Sequence, residues 1–431
     1  MTTSRLTINA GRLERNLTQL ASFGGSVASG VARETLTATD LQARQWLAAQ
    51  FAQRPSYVVG IDAAANLHIR RLGRQPQAPV VMTGSHIDTQ PLGGWLDGAF
   101  GVMAGLEVLD ALDDAGICTE RTIEVVGWTN EEGSRFAPGL MGSQSYVQPD
   151  SLQALLPVTD AQGIRFEAAR DAAQQLFAEQ THAQQWQVFD AQLAAPVHAY
   201  IEAHIEQGPV LEREGLGLGI VHAIQGVRWY QITLKGRCAH AGTTPLIDRQ
   251  DAQAKAVALA DALYGYAVES GDPDLRVTIG RWSCSPDSIN TIADQVRFTV
   301  DVRHPQRQDI AAFDAFLRSQ CPADSSIELL QDKPTTAFDT ALLTLLEQAA
   351  QQRCVAYKKM VSGAFHDAMP MARFAPTAML FAPSIGGISH HPEENTAAAD
   401  LATCTQVLAD SLLALAQSDV TATALHPHLI P

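Results

Sequence analysis

Along the N-terminal half, stretches in which apolar residues recur every three or four positions alternate with short contiguous apolar runs. The first pattern is that of helices with one buried face, the second that of buried strands. Leu13, Leu17 and Leu20 predict an opening helix, and Leu41, Trp46, Leu47 and Phe51 predict another over Asp40 to Phe51, capped by Thr37 or Thr39. Extended segments are expected at Tyr57 to Gly60, Asn66 to Arg70, Pro79 to Gly84 and Thr122 to Trp128, with a helix over Gly98 to Leu112. The Gln- and Ala-rich stretch Ile164 to Phe189 reads as helix and carries no evident chemistry.

Beyond Gly219 the texture changes. Ile220 to Ala223, Arg228 to Lys235, Arg276 to Ser283 and Gln295 to Val302 read as strands, the last alternating cleanly, and Asp248 to Val268 and Arg307 to Ser319 read as helices. Strands around two helices predict a small α+β sandwich over 217–332, inserted into a discontinuous α/β domain made of 1–216 and 333–431. A chain of 431 residues exceeds what one core usually supports, which agrees with two domains. The final TATALHPHLIP reads as a loose tail.

With 46% hydrophobic and 18% charged residues the composition is that of an ordinary globular protein. A formal net charge of −16 argues against nucleic acid or an anionic membrane as partner, while leaving room for a local cationic pocket that binds a small anion. The six cysteines lack C-x-x-C pairing, so neither a zinc knuckle nor a disulfide framework is indicated. The first residues are too polar for a signal peptide, no apolar run is expected to reach the length of a membrane span, and a cytoplasmic location is expected.

Two runs punctuated by glycine, GSHIDTQPLGGWLDGAFG (84–101) and TNEEGSRFAPGLMGS (129–143), hold His86, Asp88, Asp97 and the pair Glu131 and Glu132. Like charges this close oppose each other's ionisation unless a cation lies among them. Each run follows a predicted strand, the usual place for a site in an open α/β sheet. In an extended segment His86 and Asp88 share a face, so His86 can ligate a metal while Asp88 orients its imidazole. Glycines around Asp97 allow the turn that returns its carboxylate, and two carboxylate oxygens can bridge two ions. Adjacent side chains diverge, which assigns Glu132 as ligand and Glu131 as general base. His204 and His390 are the best placed to complete the shell, with His391 beside His390 left as an alternative. Singly, these would read as a structural histidine, a solvated pair and a turn residue; together they point to metal.

These runs, with HIEQGP (204–209), GRCAHAGTTP (236–245) and SHHPEENT (389–396), resemble the amidase, hydantoinase and carbamoylase group of the M20 metallopeptidase superfamily over nearly the whole chain. The resemblance implies a zinc-peptidase-like catalytic domain with an inserted lid and dimerisation domain. It implies two divalent ions, zinc or manganese with cobalt or nickel as alternatives, on His86, Asp97, Glu132, His204 and His390, with Asp97 bridging and Glu131 as base. That choice favours His390 over His391. His240 is expected to reach the active site of the second subunit of a homodimer and support an oxyanion, and Arg303 to grip a substrate carboxylate; Gln207, Arg228 and Asn290 match further substrate positions. For Arg228 and Arg303 the residues alone read equally well as surface ion pairs. Phe365 stands where such enzymes commonly carry glycine, a change that bears on the substrate side chain. The implied activity is cleavage of a ureido C–N bond in an N-carbamoyl amino acid, of the N-carbamoyl-L-amino acid hydrolase or β-ureidopropionase type. Allantoate hydrolysis, a dipeptidase or deacylase activity, and a catalytically silent binding module are the alternatives.

Overall fold

The computed structural model describes residues 6–418, so the tail expected at TATALHPHLIP lies outside the described residues. The described chain divides into two compact units, one of 6–222, 338–360 and 365–418, the other of 223–337 and 361–364.

In the first unit, α1 (Ala10–Ala21) starts where the Asn9 side chain accepts from Arg12 N, and buries Leu13, Leu17 and Leu20. Helix α2 (Ala38–Ala49) is capped by Thr37, whose side chain accepts from Asp40 N. Strands β1 (Tyr57–Ile61), β2 (Leu67–Arg71) and β3 (Val80–His86), helix α3 (Ala99–Asp114) and strand β4 (Ile123–Trp128) follow. Every residue of β3 and β4 is buried, as strands covered on both faces require. Helix α4 (Phe166–Gln184) is shorter than the expected span because Gln185 adopts a left-handed conformation, after which 187–189 run extended beside β1. Strands β5 (Val197–Ile205) and β6 (Gly219–Ile224) complete this stretch.

The second unit holds β7 (Gly226–Lys235), α5 (Ala252–Glu269), β8 (Arg276–Ser285), β9 (Gln295–His304), α6 (Arg307–Gln320) and β10 (Ser326–Lys333). Its four strands form an antiparallel sheet in the order β8-β9-β7-β10. Tyr230, Ile232, Leu234, Phe298, Val300 and Val302 share one face and pack with Leu259, Leu263, Phe313 and Leu317 of the two helices. Helix α5 begins four residues later than its apolar spacing implied, because the Asp251 side chain accepts from Gln253 N and Ala254 N.

The chain then returns to the first unit with α7 (Thr340–Gln352), β11 (Thr377–Ala382) and α8 (Ala398–Ala416). The sheet of this unit runs β6-β11-β5-β3-β4-β2-β1, and the central four, β11, β5, β3 and β4, are parallel. Strand β6 pairs antiparallel with β11 through 219–221, so the segment expected at Ile220 to Ala223 joins this sheet rather than the four-stranded one. Helix α8 corrects the expectation about membrane spans. Its 19 residues have a mean hydropathy of 1.2, enough in length and composition to cross a membrane. Here it packs on α3, β5, β11 and α7 and buries Leu401, Val407, Leu408 and Leu412 in the core.

Candidate active site

Because β3, β4, β5 and β11 are parallel, their C-terminal ends share one edge of the sheet, and that edge gathers the candidate ligands. His86 is the last residue of β3, Glu131 and Glu132 follow β4, His204 is one residue from the end of β5, and His390 stands in the loop after β11. Asp97 arrives on the turn that precedes α3. Gly98 has φ +65°, and a Cβ there would collide with the His86 imidazole, so only glycine lets the turn pass so close.

Asp97 is the centre of the cluster. His204 Nε2 lies 3.1 Å from its Oδ1 and His390 Nε2 3.0 Å from its Oδ2, a buried oxygen that accepts no hydrogen bond. Two groups of possible ligand atoms result, each within 4.8 Å of one another: His86, Asp97 and His204 in one, Asp97, Glu132 and His390 in the other. Glu131 Oε2 is 3.5 Å from His86 Nε2. His391 is exposed, and its ring accepts from Glu393 N. Of the two neighbouring histidines the fold thus brings only His390 to Asp97 and Glu132.

The role expected for the Asp88 carboxylate is corrected by the geometry. His86 Nδ1 bonds to the backbone carbonyl of Asp88 at 2.9 Å, whereas the nearest carboxylate oxygen is 3.8 Å away. That carboxylate instead accepts from Glu131 N at 3.4 Å and Glu132 N at 3.3 Å, holding the acidic pair from behind. Gln90, absent from the expected set, donates to Glu132 Oε2 at 2.6 Å, and Gln207 donates to Asp97 Oδ1 at 3.1 Å. His366 packs edge-on against His204 with ring centroids 4.5 Å apart.

The donor set fits a divalent cation. A carbonyl can only accept, so His86 and His204 each carry a proton on Nδ1, toward Asp88 O and Ile205 O, and the Gly98 N–H donates to His204 Nε2. In the neutral form each Nε2 aims a lone pair at a carboxylate oxygen, a repulsion that either a proton on Nε2 or a metal cation relieves. The charges of the cluster pull in both directions: Asp97 raises His204, against its burial, and His390 to about 9, toward the protonated form. Burial, then Asp367, Glu132 and Asp97, push Glu131 well above the ordinary carboxylate range; burial, then Asp97, raise Glu132 to about 8. Burial lowers His86 to about 4. Imidazole nitrogens with carboxylates suit zinc, manganese, cobalt or nickel.

The remaining predicted residues stand on the second unit. His240 and Asn290 are exposed and adjacent, with His240 opposite Thr291 and Ala241 N donating to Asn290 O. Arg228 and Arg303 lie on the paired strands β7 and β9 but on opposite faces. Arg228 shares the helix-covered face and pairs with Asp332 at 3.0 Å. Arg303 pairs with Asp301 at 2.8 Å and donates to Gly363 O at 3.0 Å.

A mixed α/β sheet with imidazoles and carboxylates converging at the C-terminal ends of its parallel strands has the fold and candidate metal-ligand groups of the M20 hydrolases. The model of peptidase family M20/M25/M40 matches residues 82–414, and the chain belongs to that family; it is a hydrolase of C–N amide bonds. An N-carbamoyl-L-amino-acid amidohydrolase of Rhizobium meliloti is 34% identical over 395 residues, 90% of this chain and 92% of that protein. An allantoate amidohydrolase of Escherichia coli (strain K12) is also 34% identical, over 94% of this chain and 97% of its own length. The crystal structure of a hydantoinase/carbamoylase family amidase from Burkholderia ambifaria superposes with a TM-score of 0.86 at 38% identity, covering 96% of this chain and 99% of that one.

Proposed function

We propose that the protein hydrolyses the ureido C–N bond of an N-carbamoyl amino acid, releasing amino acid, ammonia and carbon dioxide. The observation that carries this reading is the sharing of Asp97 between two three-residue ligand groups with Glu131 against them, in a chain similar to an N-carbamoyl-L-amino-acid amidohydrolase. His86, Asp97 and His204 would hold one divalent ion, and Asp97, Glu132 and His390 a second. Bound there, the ions supply Lewis acidity and make water a nucleophile near neutral pH. Glu131, against the His86 ring, would take the proton of that water on its carboxylate and deliver it to the leaving nitrogen. Arg303 is the group proposed for the substrate carboxylate, where a planar guanidinium makes two parallel hydrogen bonds. A homodimer belongs to this reading, with His240 of a second copy supporting the oxyanion.

Allantoate is itself a ureido acid, and the equal 34% identity to an allantoate amidohydrolase supports it as the second reading. Ammonia release from N-carbamoyl-α-amino acids, N-carbamoyl-β-alanine and allantoate, with and without chelator, decides between them. Turnover is expected on the N-carbamoyl amino acids and should vanish with chelator. Faster turnover of allantoate would favour the second reading, and no ammonia from metal-loaded protein would refute both. Glu131→Gln is expected to retain metal and lose about 10²–10⁴-fold in kcat; full activity would remove Glu131 as base.

A further inference from the structure

Glu394 is a carboxylate that neither ligand group contains and that lies 1% exposed behind them. Its Oε1 accepts from both Leu96 N and Asp97 N at 3.0 Å, and its Oε2 accepts from Ser389 Oγ at 2.8 Å. Its backbone carbonyl takes the Trp95 indole N–H at 3.1 Å. The turn is shaped for it, since a Cβ on Gly94 would collide with the Glu394 carboxylate. One side chain therefore clasps the turn carrying Asp97 to the loop carrying His390, two segments almost 300 residues apart in sequence. Nothing else described for Asp97 fixes its backbone from that side, and its side chain is committed to the histidines and Gln207.

We infer that Glu394 is a positioning residue: a hydrogen-bonding clasp that holds Asp97 and His390 at the spacing a shared metal pocket needs. The inference rests on the two-ion reading above. The pocket of Asp97, Glu132 and His390 has two of its three ligands on clasped segments, while that of His86, Asp97 and His204 has one. Losing the clasp should therefore weaken the former more. The clasp works through acceptor oxygens rather than through charge. Glutamine at 394 can keep its amide oxygen on the two backbone N–H groups and donate its NH2 to Ser389 Oγ, which can turn to accept. Alanine loses all three bonds and leaves two buried N–H groups without partners.

Metal content after dialysis and zinc or manganese affinity by calorimetry, for the full-length wild type, Glu394→Ala, Glu394→Gln and Ser389→Ala, test this. Wild type should bind two ions. Glu394→Ala should lose affinity for one of them by about 10- to 100-fold, the usual effect of removing a group that orients ligands, and retain the other more tightly. Glu394→Gln should stay within about threefold of wild type. Ser389→Ala, which frees only the His390 side and spares the core should Glu394→Ala fail to fold, should weaken one ion several-fold. Wild-type affinities in both Glu394→Ala and Ser389→Ala would overturn the clasp, and equal losses in Gln and Ala would show that charge, not hydrogen bonding, is what Glu394 supplies. Wild type without bound metal would instead refute the metal reading itself.

Discussion

Away from the site, His68 on β2 makes a pH-dependent contribution to stability whose size follows from its surroundings. The ring is 1% exposed, with Nδ1 2.6 Å from Glu124 Oε1 and Nε2 3.1 Å from Asp62 Oδ2. Both nitrogens face carboxylates, so the imidazolium is the form that satisfies all three groups. Burial alone would lower the pKa, but Asp62 and Glu124 outweigh it and raise it to about 9 from an ordinary 6.5. The folded state then holds the proton more tightly than the unfolded chain by about 3 kcal/mol, at 1.36 kcal/mol for each tenfold in proton affinity. This contribution is fully present below pH 6.5 and is lost as pH rises through about 9. Glu124, held low by Arg70 and His68 against its burial, acts in the opposite sense, and its share is lost on acidification.

The perturbation is His68→Gln, compared with wild type by urea denaturation of metal-loaded protein from pH 6 to 9.5. At pH 6 the variant should be less stable by about 3–5 kcal/mol, the usual cost of removing one partner of a buried charge pair. By pH 9.5 wild type has surrendered its proton, and the difference should shrink by about 3 kcal/mol. Titrating groups away from the ring are common to both proteins and cancel in the difference, whereas Glu124, which His68 helps to hold low, changes with it. Trp128, whose ring meets His68 edge-on at 6.4 Å, provides a local fluorescence signal. A difference constant across this range, or an imidazole NMR titration near 6.5, would refute the assignment of a doubly paired imidazolium.

Two further perturbations probe the site. Gly98→Ala places a methyl group against His86 at a backbone conformation that disfavours it, and is expected to reduce metal affinity by at least about tenfold; wild-type metal content would show that the turn yields. Asp88→Asn can satisfy only one of the two N–H groups behind Glu131 and Glu132, so kcat should fall about 10- to 100-fold, equivalent to about 1–3 kcal/mol. Metal content should hold, because His86 is oriented by a backbone carbonyl that the substitution retains, and loss of metal would return the carboxylate to the role of imidazole orienter.

The local half of this site was legible in the sequence because its parts announce themselves over short distances. His86, Asp97, Glu131 and Glu132 fall in two runs just past apolar segments, and the strands end where those runs begin. The strands that carry or precede His204 and His390 were not foreseen. Strand β11 is buried throughout and β5 nearly so, which leaves no two-residue alternation to mark them. Helix α8 escaped for a related reason: its Asp and Thr positions interrupt an apolar run that remains long enough to matter.

What no pattern could convey are the contacts in which a side chain meets distant backbone. The Asp88 reading went astray because i and i+2 spacing describes where side chains point and says nothing of a carbonyl that can do the same work at closer range. Glu394 is the same lesson at longer range. Its partners are N–H groups on a turn almost 300 residues earlier in the chain, and its place in the SHHPEENT run, four residues after a ligand candidate, says nothing of them. Asp97 makes such contacts decisive. His86, His204 and Glu132 are fixed on, or close after, strand ends in a hydrogen-bonded sheet, but His390 stands in a loop and Asp97 on a turn whose path depends on Gly94, Gly98 and Glu394. If one carboxylate is to serve two ions, its two oxygens must be placed as accurately as the strand ends place their ligands. The clasp and the glycines are the means by which a turn acquires that accuracy.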